Sequence, residues 1–238
     1  MIFLRHLFLS SLGRKYLMAV SGGALLVFAV GHMLGNLQVF LGPEALNAYG
    51  HFLQSTPELL WPVRLGLLAM VLLHGWAAVV LTLENRAARP VPYAQRELVA
   101  ASYASRTMIW SGVIVAVFVV YHLLHYTARV QAVNLAGQDF SAFSYTLKHG
   151  VVCRDVFRMV IAGFSQPTVS VFYLIGVGLL CWHLSHGIGA LFQSLGLKNR
   201  AWQSLIDRLG VAVSALLFAG YAAVPVAVLL GYGREALK

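Results

Sequence analysis

Five apolar runs, Tyr16 to Phe40, Leu60 to Leu83, Thr107 to Thr127, Val169 to Phe192 and Leu209 to Leu230, limit what this chain can fold into. Each approaches the roughly 20 residues that an α-helix needs to cross the hydrocarbon core of a bilayer. Backbone in that environment must satisfy its own hydrogen bonds, which leaves helices or a closed barrel, and no strand pattern competes. Apolar residues make up 59% of the chain and charged residues 11%, too few charges to cover a water-soluble surface. The expected fold is therefore all-α: an integral membrane bundle of five transmembrane helices in a single domain over residues 1–238.

The N-terminus does not read as a cleaved signal peptide. Arg14-Lys15 interrupts the early apolar residues, and the run behind it is of full span length. Orientation follows from the basic residues in the loops. Arg5, Arg14, Lys15, Arg86, Arg89, Arg96, Arg106, Lys198, Arg200 and Arg208 gather on one side. Arg64, Arg129, Lys148, Arg154, Arg158, Arg234 and Lys238 fall on the other, four of them in one long loop that carries less weight. This predicts a cytoplasmic N-terminus and an outside C-terminus. The net charge of +9 is dispersed at helix ends rather than drawn into a stripe, which argues against nucleic acid as a partner. Cys153 lies in the long outer loop and Cys181 inside a span, so no disulfide between them is expected. No C-x-x-C-H sequence is present, so any haem would be held non-covalently.

Polar side chains inside a span are costly and usually functional. Histidines occupy such positions at His32, His74, His122 with His125, and His183 with His186. Taken alone, each reads equally well as a packed residue hydrogen-bonded to a neighbouring helix. Depth sorts them into two levels. At about 1.5 Å per residue, His32 lies roughly 24 Å and His122 roughly 22 Å from the cytoplasmic starts of their spans, while His74 and His183 each lie roughly 14 Å from that edge. Two pairs of imidazoles at two depths are what two stacked bis-histidine haems require. His125 and His186, each three positions on, are separated from their neighbours by only about 4.5 Å of depth, so depth alone does not choose between them. A structural zinc site would gather four ligands at one point. All eight carboxylates fall in loops or at span ends, which argues against a carboxylate proton path through the middle.

Elsewhere, Gly31 and Gly35 form a small-x-x-x-small face suited to helix packing, and they also leave room beside His32 for a flat macrocycle. Pro43 to Glu58 reads as a short non-spanning loop, followed by Trp61 as an interfacial anchor. The segment from Ala128 to Thr168 is the longest loop, with Asp155 to Phe164 as an amphipathic stretch suited to lying on the membrane. The fifth span has no histidine or charge and is expected to serve packing.

Several stretches recur in one order along most of the chain: Ser21-Gly22, His32-Met33-Leu34-Gly35-Asn36-Leu37, Asn47-Ala48-Tyr49, His74, Asn85 to Pro90, Ser105-Arg106-Thr107-Met108, Phe118 to His122, and Phe172-Tyr173 to His183. In these the chain resembles the di-haem cytochrome b membrane anchor of succinate:quinone oxidoreductases (succinate dehydrogenase or fumarate reductase), the single-subunit five-helix type. The resemblance implies two haem b groups, with His32 and His122 on the outer iron and His74 and His183 on the inner one. It favours His122 over His125 and His183 over His186.

It further implies a location in the inner (cytoplasmic) membrane. A flavoprotein with FAD and an iron-sulfur protein with its clusters would dock on the cytoplasmic face, and a quinone, menaquinone or ubiquinone, would exchange electrons in the bilayer. A higher oligomer of the complex stays open. Quinone reduction needs a proton donor near the membrane edge, for which Glu58 and His51 are the candidates and Glu44 a weaker one. Arg64 and Arg106, at span starts, are candidates for haem propionates. Two other readings fit the same residues: a di-haem anchor of a hydrogenase or formate dehydrogenase, and a haem-free structural or transport membrane protein.

Overall fold

The structure, a computed structural model, describes residues 2–88 and 103–238, with side chains over 5–88 and 107–238. Helix α1 (Ile2–Leu9) precedes α2 (Ser11–Leu37), which tightens into a 3-10 turn at Gln38–Leu41. Helices α3 (Pro43–Ser55) and α4 (Pro57–Ala87) follow, each with proline at its first position, where the missing N–H costs nothing. Gly42, at φ 93°, turns the chain into α3 with a backbone that a side chain would strain. Helix α5 (Tyr103–His122) runs into a π turn at Leu123–Thr127. After the connecting segment come α8 (Pro167–Ser194), α9 (Gln203–Leu229) and a closing 3-10 turn at Arg234–Leu237.

Five helices are long and apolar enough to cross a membrane: Ser11–Leu41, Pro57–Ala87, Thr107–Thr127, Pro167–Ser194 and Gln203–Leu229. They contain the five expected runs almost entirely, which makes this a multi-pass membrane protein. Their outward faces carry Leu34, Leu65, Leu72, Val79, Val117, Ile175 and Leu216, all exposed. In water that surface would drive aggregation, whereas lipid tails are as apolar as leucine. The first helix begins earlier than the sequence suggests because Arg14 does not end it. Its guanidinium is buried, pairs with Glu84 near the end of α4, and donates to the Phe8 carbonyl at 3.1 Å. Hydroxyls within the spans bond back to their own helices, as Ser21 does to Leu17 (2.7 Å) and Ser214 to Gly210 (2.8 Å).

The long connection is more ordered than a loop. It holds α6 (Gln131–Asn134), a 3-10 turn at Phe140–Ala142, and two short antiparallel strands, β1 (Ser144–Thr146) and β2 (Val152–Arg154), paired with Tyr145 opposite Cys153. Three-residue strands are too short to show an alternating pattern, which is why the sequence offers no sign of them. Helix α7 (Val156–Phe164) matches the expected amphipathic stretch, but its apolar residues Phe157, Met159, Ile161 and Phe164 are buried in protein rather than laid on lipid. The short segment before Trp61 is likewise a helix, α3. Both cysteines are free and buried, and burial pushes the Cys153 thiol up from its ordinary range.

The chain divides into two compact units. The first comprises Met1–Ala29, Pro62–Ile109 and Trp182–Ser214; the second comprises Val30–Trp61, Trp110–Cys181 and Ala215–Lys238. Within the second, fully buried Asn47 of α3 anchors the start of α7. Its amide donates to Asp155 Oδ1 (3.0 Å), its carbonyl accepts from the Phe157 N–H (2.9 Å), and Asp155 caps the helix by accepting from the Arg158 N–H (2.9 Å). Glu44 clasps the hairpin, accepting from the Tyr145 hydroxyl (3.2 Å) and the Lys148 N–H (3.1 Å). The Tyr232 hydroxyl ties the C-terminal segment to the Val39 carbonyl (2.9 Å). Asn47→Leu leaves the Phe157 N–H and the Asp155 carboxylate without that partner in a buried place. It is expected to cost about 1–3 kcal/mol, read as a lowered unfolding midpoint of the detergent-solubilised protein.

Candidate functional site

In the first unit, α2, α4 and α8 bring Ser21, Gly22, His74 and His183 together. The His74 and His183 rings lie 6.4 Å apart between centroids, with an interplanar angle of 69°. His74 Nδ1 lies 3.2 Å from the Met18 carbonyl and 3.3 Å from the Ser21 hydroxyl. A carbonyl can only accept, so the bond requires the proton on Nδ1 and leaves the Nε2 lone pair for a metal. His183 is held by the backbone of Met108. A Cβ on Gly22 would meet His74 Cε1 at 3.1 Å and Nδ1 at 3.3 Å, so the absence of a side chain lets α2 approach this imidazole.

In the second unit, α2, α5, α8 and α9 assemble an aromatic cluster around His32 and His122. These two rings lie 5.7 Å apart with an interplanar angle of 80°. Tyr221 of α9 stands 6.3 Å from His32, and Phe118 stands 6.2 Å from His122. The Tyr173 hydroxyl lies 3.4 Å from His122 Nδ1 and 2.9 Å from His125 Nδ1. His125 itself is fully buried, 4.0 Å from the Tyr126 ring and 5.7 Å from Phe140.

The spacing of both pairs suits a haem. Two imidazoles on one iron, with metal–nitrogen bonds of about 2.0 Å and ring centres about 1.1 Å beyond each nitrogen, have centres roughly 6 Å apart. The observed separations of 5.7 and 6.4 Å bracket that value. The angle between rings is free, because both planes contain the axis through the metal. A porphyrin supplies four ligands itself, so two histidines complete the set. Among the described residues no group of three or more His, Cys, Asp or Glu converges on a point, as a bare metal ion would need.

The remaining sequence candidates fall apart from these pairs in character. His186 is half-buried near the Lys198–Asp207 ion pair (2.6 Å). Glu58 is exposed in the first turn of α4, Arg64 is exposed further along it, and His51 is half-buried on α3. The side chain of Arg106 lies outside the described residues, as do Arg89 and Arg96. The sequence assigns no role to Tyr221, which nothing distinguishes from the other aromatics of apolar spans, and it marks Tyr173 only as part of the Phe172-Tyr173 stretch. The serine next to Gly22 was quoted as a motif without a role, and its contact with His74 supplies one.

Gly22→Val would drive a branched side chain into the His74 ring. If each imidazole pair holds a haem, Gly22→Val is expected to lower the haem content of the purified protein by one group per chain, while Gly66→Val, at an exposed position where a Cβ meets nothing within 4 Å, leaves it unchanged. No family model, curated protein or solved structure matches this chain.

Proposed function

We propose that this chain is the membrane anchor and electron-transfer subunit of a succinate:quinone oxidoreductase, of the di-haem cytochrome b type. The observation that carries the reading is the two facing imidazole pairs, His32 with His122 and His74 with His183, each at a separation that suits one iron. The order of motifs along the chain, from Ser21-Gly22 to His183, supports the same family. His32 and His122 hold the outer haem and His74 and His183 the inner one. When bound, haem b supplies one-electron oxidation and reduction within a span that has no other redox group.

The work of the polypeptide is to present the ligands. The Met18 carbonyl fixes the His74 tautomer and keeps Nε2 available. Arg64 and Arg106 are the candidates for contact with the propionates. Glu58 and His51 are the groups near the membrane edge able to deliver a proton to reduced quinone. In this reading the N-terminus is cytoplasmic, and the flavoprotein and iron-sulfur partners dock on that side in the cell inner membrane.

A reduced-minus-oxidised spectrum of the purified protein, with haem quantification, tests the proposal. Two b-type haems per chain are expected, and absence of b-type bands would sink it. Ligand assignment has its own check. His32→Ala, His122→Ala, His74→Ala and His183→Ala should each leave about one haem per chain, whereas His125→Ala and His186→Ala should retain both iron sites. Loss of a haem in His186→Ala with retention in His183→Ala overturns the choice at the inner pair.

A further inference from the structure

Three side chains in the second unit form a hydrogen-bonded row that the proposed electron transfer does not by itself require. The Tyr173 hydroxyl of α8 sits between two imidazoles of the segment that ends α5, 3.4 Å from His122 Nδ1 and 2.9 Å from His125 Nδ1. Two of the three side chains are buried. His125 is 0% exposed and Tyr173 5% exposed, and the tyrosine ring is wedged edge-on against Phe118 at 5.2 Å and Phe164 at 4.9 Å. That packing holds the hydroxyl where both nitrogens can use it.

The proton order along the row follows from what each atom can do. A histidine that binds iron through Nε2 keeps its proton on Nδ1, so His122 must donate and the tyrosine oxygen must accept. The hydroxyl then has its own proton to give, and His125 Nδ1 is the acceptor within reach. This places the remaining His125 proton on Nε2, an atom that is buried, has no hydrogen-bond partner, and faces Gly163, where a Cβ would stand 3.1 Å away. His125 is thereby committed at one nitrogen and walled off by backbone at the other, which leaves it unable to replace His122 at an iron.

We propose that Tyr173 is a positioning residue for the outer haem: its hydroxyl orients the His122 imidazole, with His125 orienting the hydroxyl in turn. The inference rests on the di-haem reading above and assigns a role to two residues that reading leaves idle. An acceptor on the Nδ1–H of an axial histidine raises the basicity of that ligand and favours the oxidised iron. Removing it shifts the outer haem to a more positive potential. The inner pair lies in the first unit, where its partners include Met18, Ser21 and Met108, so loss of the Tyr173 hydroxyl leaves its potential in place.

The test is a redox titration of the purified wild-type and Tyr173→Phe proteins, followed at the b-type bands, with low-temperature electron paramagnetic resonance of the oxidised samples. The phenylalanine keeps the ring and its packing. Two haems, one step displaced to more positive potential and the other unmoved, with a changed signature for a single haem, is the expected result. Loss of the outer haem with the inner one kept supports the same role. Two haems with both steps and both signatures unmoved overturns it. If Tyr173→Phe does not yield folded protein, His125→Phe decides: a displaced outer step supports the row and an unmoved one overturns it. Wild-type protein without b-type bands would sink the di-haem reading itself, a result distinct from any of these.

Discussion

An imidazole inside an apolar helix assembly has two nitrogens to satisfy and no water to satisfy them with. That requirement organises much of what surrounds the histidines here. Met18, three residues ahead of the buried Ser21, lends its carbonyl to His74. Tyr173 brings the polar tip of an otherwise apolar ring to the second pair. In each case one nitrogen is given a partner from the protein.

The same rule shapes the part of the chain that carries fewer apolar residues. Asn47, buried and remote in sequence from α7, supplies both a donor and an acceptor where that helix begins. Glu44 does the equivalent for the hairpin. Arg158 lies over the Phe143 ring, 4.7 Å from its centroid, so even a charged residue of this segment is packed by an aromatic face. The connection after α5 is therefore a structured cap of its unit, built from contacts between distant stretches.

What could be read in advance and what could not divide along the same line. Span lengths are set by runs of consecutive apolar residues, and the helices contain those runs almost entirely. The matching of His32 with His122 and of His74 with His183 by depth needs only the rise of a helix and the alternation of span direction, and those rings lie 5.7 and 6.4 Å apart between centroids. Partners across long sequence separations leave no comparable trace. Tyr221 is one aromatic among many, Tyr173 and Asn47 stand in stretches that say nothing of the side chains they meet, and the basic Arg14 reads as a boundary until Glu84 is seen beside it. The fifth span, which lacks histidine and charge, contributes Tyr221 beside His32 as well as packing.

The π turn at the end of α5 can also be considered as a matter of chain length. Its Ala128 N–H reaches back to the Leu123 carbonyl at 2.8 Å, one residue further than an α-turn would. Removing a single residue between Leu123 and Thr127 would let the turn close in the ordinary way and swing the chain beyond it by roughly 100° about the helix axis. The hairpin and α7 would then arrive at the wrong face of α3. Leu123 and Leu124 are exposed, so their identity is loosely constrained there. Length is the stricter variable at this turn, and homologous chains should vary at Leu123 and Leu124 far more readily than in the residue count of the turn.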